Sequence, residues 1–257
     1  MAKNIYQHDT DQMNLFDLLN QQEKDKLNEL YEFGAKNKNF ELEALFKNIN
    51  YFKYLTLVKN VINLIDDKNI TNIFTLDVIL ELDTDIVGDS IRFIIYNDEI
   101  INEFANNFQN ENPQKIFNYL FEKTNKNDGS VKLISKLKSH QDKLDLKDLD
   151  IMIKLTPEID INIDLTKMKF MSGGGEQIPK IFNKSIRLIK SFIGGNNSGQ
   201  VIKTRITYRA KERVSCLVNN KIRIDLSRVR QFKYLDQINS ASSRYETELE
   251  VLDYKNS

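Results

Sequence analysis

Residues 244–251 read Arg-Tyr-Glu-Thr-Glu-Leu-Glu-Val, an alternation that in an extended chain puts the carboxylates of Glu246, Glu248 and Glu250 on one face. Parallel anions cannot form a packed core, and the chemistry open to them is to hold a hard divalent cation through oxygen. Two upstream segments alternate in the same way with mostly basic residues. From 203 to 215 the odd positions are Lys203, Arg205, Thr207, Arg209, Lys211, Arg213 and Ser215, against Ile206, Tyr208, Ala210, Glu212 and Val214. After an expected Asn219-Asn220 turn the pattern resumes as Lys221, Arg223, Asp225 and Ser227 against Ile222, Ile224 and Leu226. Near the N-terminus, Phe40-Glu41-Leu42-Glu43-Ala44-Leu45 adds two more carboxylates at the same spacing.

Two acidic strands side by side could surround one cation with oxygens, and Mg²⁺ or Mn²⁺ accepts an octahedral oxygen set. Arg213 and Arg223 can make forked bonds to phosphate oxygens, and Lys211 adds a point charge. Each group alone also fits a solvated acidic edge or an exposed hairpin laced with salt bridges. Their joint occurrence favours a metal-assisted polyphosphate site.

The elements that must position these residues follow from periodicity. An antiparallel sheet commonly turns a charged face to water; a closed barrel can instead face its apolar side outward under helices and gather charge inside. Residues 10–33 are expected to form a helix capped by Thr10 or Asp11 and ending near Gly34, and 51–65 a second, apolar helix. Strands are expected at 40–45, at 74–82 with Phe74, Leu76, Val78, Leu80 and Leu82 on one face, and at 90–96, which carries Arg92. Residues 100–138 read as helical, broken near Pro113 and Gly129. Residues 150–164 alternate longest, with Lys154 and Glu158 on the polar face and a bulge or break expected at Pro157. An amphipathic helix over 178–193 lies between two glycine-rich loops. Strands with interposed helices give an α+β class, an antiparallel β-barrel with helices outside.

The length of 257 residues favours one large domain, and 37 basic against 37 acidic residues give no global field to attract nucleic acid. Any such contact must be local. A single cysteine, Cys216, excludes an internal disulfide, and the chain shows no long apolar run of a signal peptide or membrane span. An intracellular, reducing setting is expected, with no membrane partner. Lys126-Asn127-Asp128-Gly129 matches a nucleophilic-lysine motif but follows no apolar strand, so it reads as an Asp-Gly turn. Gly173-Gly174-Gly175 lacks the ending of a phosphate-binding loop, and His8 and His140 stand alone.

Three motifs in order resemble those of the triphosphate tunnel metalloenzymes, specifically the RNA triphosphatases of fungal and large-DNA-virus mRNA capping systems. They are Phe40-Glu41-Leu42-Glu43-Ala44, then Lys211-Glu212-Arg213-Val214-Ser215 with Arg223-Ile224-Asp225-Leu226-Ser227, and finally Tyr245-Glu246-Thr247-Glu248-Leu249-Glu250. Ser90-Ile91-Arg92-Phe93 resembles a phosphate-binding strand, and Ile153-Lys154-Leu155-Thr156-Pro157-Glu158 a strand with a basic residue and a catalytic glutamate. The resemblance implies an eight-stranded antiparallel tunnel that removes the γ-phosphate from triphosphate-ended RNA with Mg²⁺ or Mn²⁺; recognition resting on the triphosphate rather than the RNA body would extend hydrolysis to nucleoside triphosphates with Mn²⁺. It implies metal binding by the glutamates: Glu41, Glu43 and Glu250 directly, Glu248 and Asp225 through water, with Glu246 bracing basic side chains. Arg92, Lys154, Lys211 and Arg213 would hold phosphate, Arg223 would support the acids, and Glu158 would position the attacking water. Leu45 replaces the lysine of the cyclase branch, Ser227 a usual threonine and Lys154 a common arginine. Rival readings are an inorganic polyphosphatase or polyphosphate polymerase on the same fold, and a non-catalytic RNA-binding module. The motif style fits a viral source, and the chain is either self-standing or the front of a longer capping enzyme with guanylyltransferase and methyltransferase domains.

Overall fold

Alternating faces become a ring of strands in the computed structural model, which describes residues 15–64, 69–82, 89–109, 111–125, 128–164, 169–172, 175–194 and 204–252. The ring contains β1 (Phe40–Phe46), β2 (Ile70–Leu82), β3 (Asp89–Ile95), β4 (Val131–Leu137), β6 (Ile151–Asp164), β8 (Thr204–Val218), β9 (Ile222–Phe232) and β10 (Ser243–Val251). Their order is β1-β10-β9-β8-β2-β3-β4-β6, every pairing is antiparallel, and β1 pairs with β6 to close an eight-stranded barrel. Two shorter strands, β5 (Asp142–Leu146) and β7 (Lys169–Ser172), pair with β6 outside the ring.

Local chemistry sets the hairpins and caps. Asn219 and Asn220 both take positive φ, 52° and 57°, and Lys221 N–H donates to Val218 O at 3.0 Å. That backbone matches the twist of the flanking strands, and asparagine tolerates it better than most residues. Asn97 caps α3 (Asp98–Asn107) by accepting from Ile100 N–H, and Asn112 caps α4 (Pro113–Thr124) by accepting from Lys115 N–H. Pro113 suits the first turn of α4 because its missing N–H would have had no helical partner.

The apolar faces of the strands point outward and the principal core lies beneath α3, α4 and α5 (Asn183–Ile193). Leu76, Val78 and Leu80 of β2 and Ile91, Phe93 and Ile95 of β3 are fully buried against Phe104, Ile116, Phe117, Leu120 and Ile189. Phe117 stacks on Phe192 with centroids 4.5 Å apart. Each such side chain contributes roughly 1.5–3 kcal/mol through burial, and together they hold the helices against the outside of the barrel wall. A smaller cluster of Leu30, Leu42 and Leu155 seats α1 (Gln21–Lys36) on β1 and β6.

Four expectations need correction. The helix expected over 178–193 begins only at Asn183, after a 3₁₀ turn at Lys180–Phe182. The first helix begins at Gln21 after a 3₁₀ turn at Leu15–Leu18, because Asn20 and Glu23 form a reciprocal capping box; it runs past Gly34 to Lys36. The caps expected at Thr10 and Asp11 lie outside the described residues. Residues 131–137 are a strand, β4, whose Val131, Leu133, Ser135 and Leu137 are buried while Lys132 and Lys136 line the interior. Finally, β6 runs unbroken through Pro157. The proline instead sits where β6 changes neighbours, with β5 beside residues 151–155 and β4 beside 158–160. Its missing donor costs nothing at that handover.

Asp128 accepts from Ser130 N–H at 2.8 Å and Gly129 has φ 75°, so the Asp-Gly portion is a turn; Lys126 and Asn127, like Gly173, Gly174 and Lys203, lie outside the described residues. Among the described residues no helix is long and apolar enough to cross a membrane.

Candidate active site

The barrel encloses a cavity of about 660 Å³, and every residue singled out from the sequence lines it: Glu41, Glu43, Arg92, Lys154, Glu158, Lys211, Arg213, Arg223, Asp225, Glu246, Glu248 and Glu250. Strand pairing explains the convergence. Glu43 faces Glu250 across β1 and β10 and Lys154 across β1 and β6. Glu248 faces Asp225, and Glu250 faces Arg223, across β10 and β9. Residues opposite one another on one face lie close, so acids and bases on strands far apart in sequence, such as β1, β6 and β10, become neighbours.

The acidic wall is tightly held. Glu43 accepts from Lys154 Nζ at 3.2 Å and from Lys136 Nζ at 3.2 Å. Lys136 also lies 3.4 Å from Glu41 and 3.0 Å from Glu158. Burial alone would raise the Glu43 carboxyl, but the two ammonium groups outweigh it and keep the acid ionised, well below its ordinary range. Glu41 behaves oppositely: burial, with the nearby carboxylate of Glu158 and those of Glu250 and Glu43, pushes it up to about 8 against the pull of Lys136. Lys136 itself is raised, because Glu158, Glu43 and Glu41 overcome the burial that would lower it. Arg223 pairs with Glu250 and donates from Nε to Asp225 at 3.1 Å, while Ser215 Oγ donates to the other Asp225 oxygen at 2.6 Å.

The basic wall is less satisfied. Arg92 Nη1 lies 3.6 Å from Asp77, and the buried Nε atoms of Arg92 and Arg209 have no hydrogen-bond partner among the described residues. Such donors in a low-dielectric cavity suit an anion. Lys211 is lowered to about 8, first by burial and then by the Arg213 guanidinium beside it. Glu246 is gripped by Arg209 at 3.0 Å and Arg244 at 2.9 Å, a bracing contact between acid and basic wall.

Sequence reasoning missed Lys136, Arg209 and Asp77 as parts of this site. Lys136 was hidden by a helical reading of its strand; only the alternation of 131–137 could have revealed it. Arg209 was visible in the basic alternation but carried no motif. Asp77, 2% exposed, sits opposite Arg209 on β2 and breaks an otherwise apolar stretch, the one signal that marked it. Among the described residues no group of three or more His, Cys, Asp or Glu side chains is gathered in ligating array, since the carboxylates engage Lys136, Lys154, Arg209 and Arg223.

No protein-family model matches the chain. It is 27% identical over 244 residues to the probable mRNA-capping enzyme of Acanthamoeba polyphaga mimivirus, covering 92% of this chain but only 17% of that relative. Among solved structures it is similar to the RNA triphosphatase domain of the trifunctional mimivirus mRNA capping enzyme, with a TM-score of 0.70, 22% identity, and coverage of 93% of this chain and 92% of that one. A triclinic structure of the mimivirus capping enzyme triphosphatase gives the same TM-score of 0.70 at 23% identity, over 92% of this chain and 91% of that chain. The chain therefore has the triphosphate tunnel fold.

Proposed function

We propose that this chain is an RNA 5'-triphosphatase, which hydrolyses the γ-phosphate of a 5'-triphosphate end to leave the diphosphate end required for mRNA capping. The observation that carries this reading is the enclosure of an acidic wall and a basic wall in one cavity. Its likeness to the mimivirus triphosphatase domain and to the capping enzyme supports it. By the same likeness, guanylyltransferase and methyltransferase domains would accompany it in a longer viral enzyme acting in the cytoplasm or virion.

The residues fit a hard divalent ion, Mg²⁺ or Mn²⁺. Glu41, Glu43 and Glu250 offer oxygen donors from two paired strands, and Glu41 is pushed up first by burial and then by the carboxylates of Glu158, Glu250 and Glu43 around it, an environment that a bound cation would relieve. Glu41, Glu43 and Glu250 would hold the ion, with Glu248 and Asp225 reaching it through water, and Lys136 and Lys154 would yield part of their hold on Glu43. Bound there, the ion would neutralise charge on the phosphate oxygens during displacement.

The protein's own groups do the rest. Arg92, Lys211 and Arg213, joined by Lys154, grip the phosphates, and the unpartnered Nε of Arg92 supplies a ready donor. Glu158, ion-paired to Lys136, accepts a hydrogen bond from the attacking water, orienting it for in-line displacement. Arg223 and Arg209 keep Glu250, Asp225 and Glu246 in place.

Recognition centred on the triphosphate should extend to nucleoside triphosphates with Mn²⁺. Phosphate release from γ-labelled RNA and from ATP, with and without Mn²⁺, tests this: turnover of both is expected with the ion, and failure on both overturns the proposal. A large preference for inorganic tripolyphosphate over RNA would instead favour a polyphosphatase.

A further inference from the structure

The tunnel opens, on the side where β1 ends and β10 begins, beside an aromatic surface that the phosphate chemistry does not use. Lys47 and Asn48, leaving β1, and Arg244 and Tyr245, entering β10, all line the cavity. Asn50 then caps α2 (Tyr51–Leu64) by accepting from Lys53 N–H at 2.9 Å. The rings of Tyr51 and Tyr54 lie 5.6 and 4.8 Å from that of Tyr245, so the aromatic cluster runs outward from the mouth. Tyr51 is 50% exposed and Phe52 78% exposed. Among its described side chains α2 buries none fully, and its sequence holds two lysines and no acid.

We infer that Tyr51, Phe52 and Tyr245 form a stacking platform for the first bases of a single-stranded RNA whose 5' end lies in the tunnel. This rests on the triphosphatase reading. The occupant follows from continuity and charge. A chain leaving the tunnel at this mouth meets Arg244 and Tyr245 of the lining and then the rings of α2, a helix that also carries Lys53. Every base offers a π face, so stacking on tyrosine and phenylalanine tolerates any sequence, as the end of many different transcripts would require. Cations without neighbouring acids on the helix suit the sugar-phosphate backbone. The site makes RNA, rather than free polyphosphate, the better substrate.

The test compares kcat/KM on a 5'-triphosphate RNA oligonucleotide and on inorganic tripolyphosphate, which has no base to stack. Phe52→Ala and Tyr51→Ala should each lower kcat/KM on RNA about tenfold, mainly through KM, because one stacked base is lost. Tripolyphosphate turnover should not change. Equal losses on both substrates, or no loss on RNA, overturn the inference. A fall in sedimentation mass for Phe52→Ala with unchanged RNA kinetics would mark the face as a protein contact and also overturn it. If the wild-type protein turns over neither substrate, the triphosphatase reading fails. Fluorescence anisotropy with 5'-hydroxyl RNA then decides the platform separately: weaker binding by Phe52→Ala supports it, and unchanged binding rejects it.

Discussion

The Lys136 ammonium lies between Glu41, Glu43 and Glu158, and its removal would leave these carboxylates crowded in a buried wall. Breaking a buried pair from one side costs about 3–5 kcal/mol, so Lys136→Met should lower unfolding stability by that order in urea melts. A loss under about 1 kcal/mol would show that the lysine does not clamp the wall. Lys211 makes a separate prediction about pH. Burial and Arg213 hold its ammonium at about 8, so the charged form that binds phosphate dominates below that pH and is lost above it. In the free enzyme kcat/KM should fall as pH rises through about 8, and Lys211→Arg should move that limb to higher pH. An unchanged alkaline limb in the arginine variant would assign it elsewhere. At this scale the sequence was readable wherever charge alternated in a long run, as at 203–215 and 244–251. Lys136 escaped because its role depends on partners nearly a hundred positions away and on register, which local pattern does not carry.

Elements set that register. The β8–β9 hairpin turns on Asn219 and Asn220 at positive φ, and this places Arg213, Ser215 and Arg223 around Asp225. A β-branched residue resists such a backbone, so Asn219→Val should destabilise the protein by about 1–2 kcal/mol and broaden the melt. Asn219→Gly should be tolerated, and equal effects of the two variants would exclude a conformational cause. The same hairpin was legible beforehand because its turn residues and its alternation agree. β4 was not, because an Asn- and Lys-rich stretch precedes it and its seven residues alternate imperfectly, with Ile134 on the lysine side. The first helix was found but its start was misplaced, since Leu15, Leu18 and Leu19 fit helical spacing while the Asn20 and Glu23 capping box decides the boundary.

For the whole molecule, equal numbers of acidic and basic residues, 37 of each, conceal a strong internal separation. The barrel wears its apolar faces outside beneath α3, α4 and α5 and keeps opposed charges within, an inversion that alternation suggested and closure between β1 and β6 completes. Desolvation inside makes each of those charges act more strongly on a bound phosphate than it could on an open surface. The decisive measurement is release of γ-phosphate from triphosphate-ended RNA in Mn²⁺ by the wild-type chain and by Glu41→Ala and Glu248→Ala, with folding checked by circular dichroism. Folded variants that lose turnover by at least about two orders of magnitude are expected, the scale on which single electrostatic groups act in catalysis. Release at wild-type rates by either folded variant would contradict the tunnel as the seat of the chemistry.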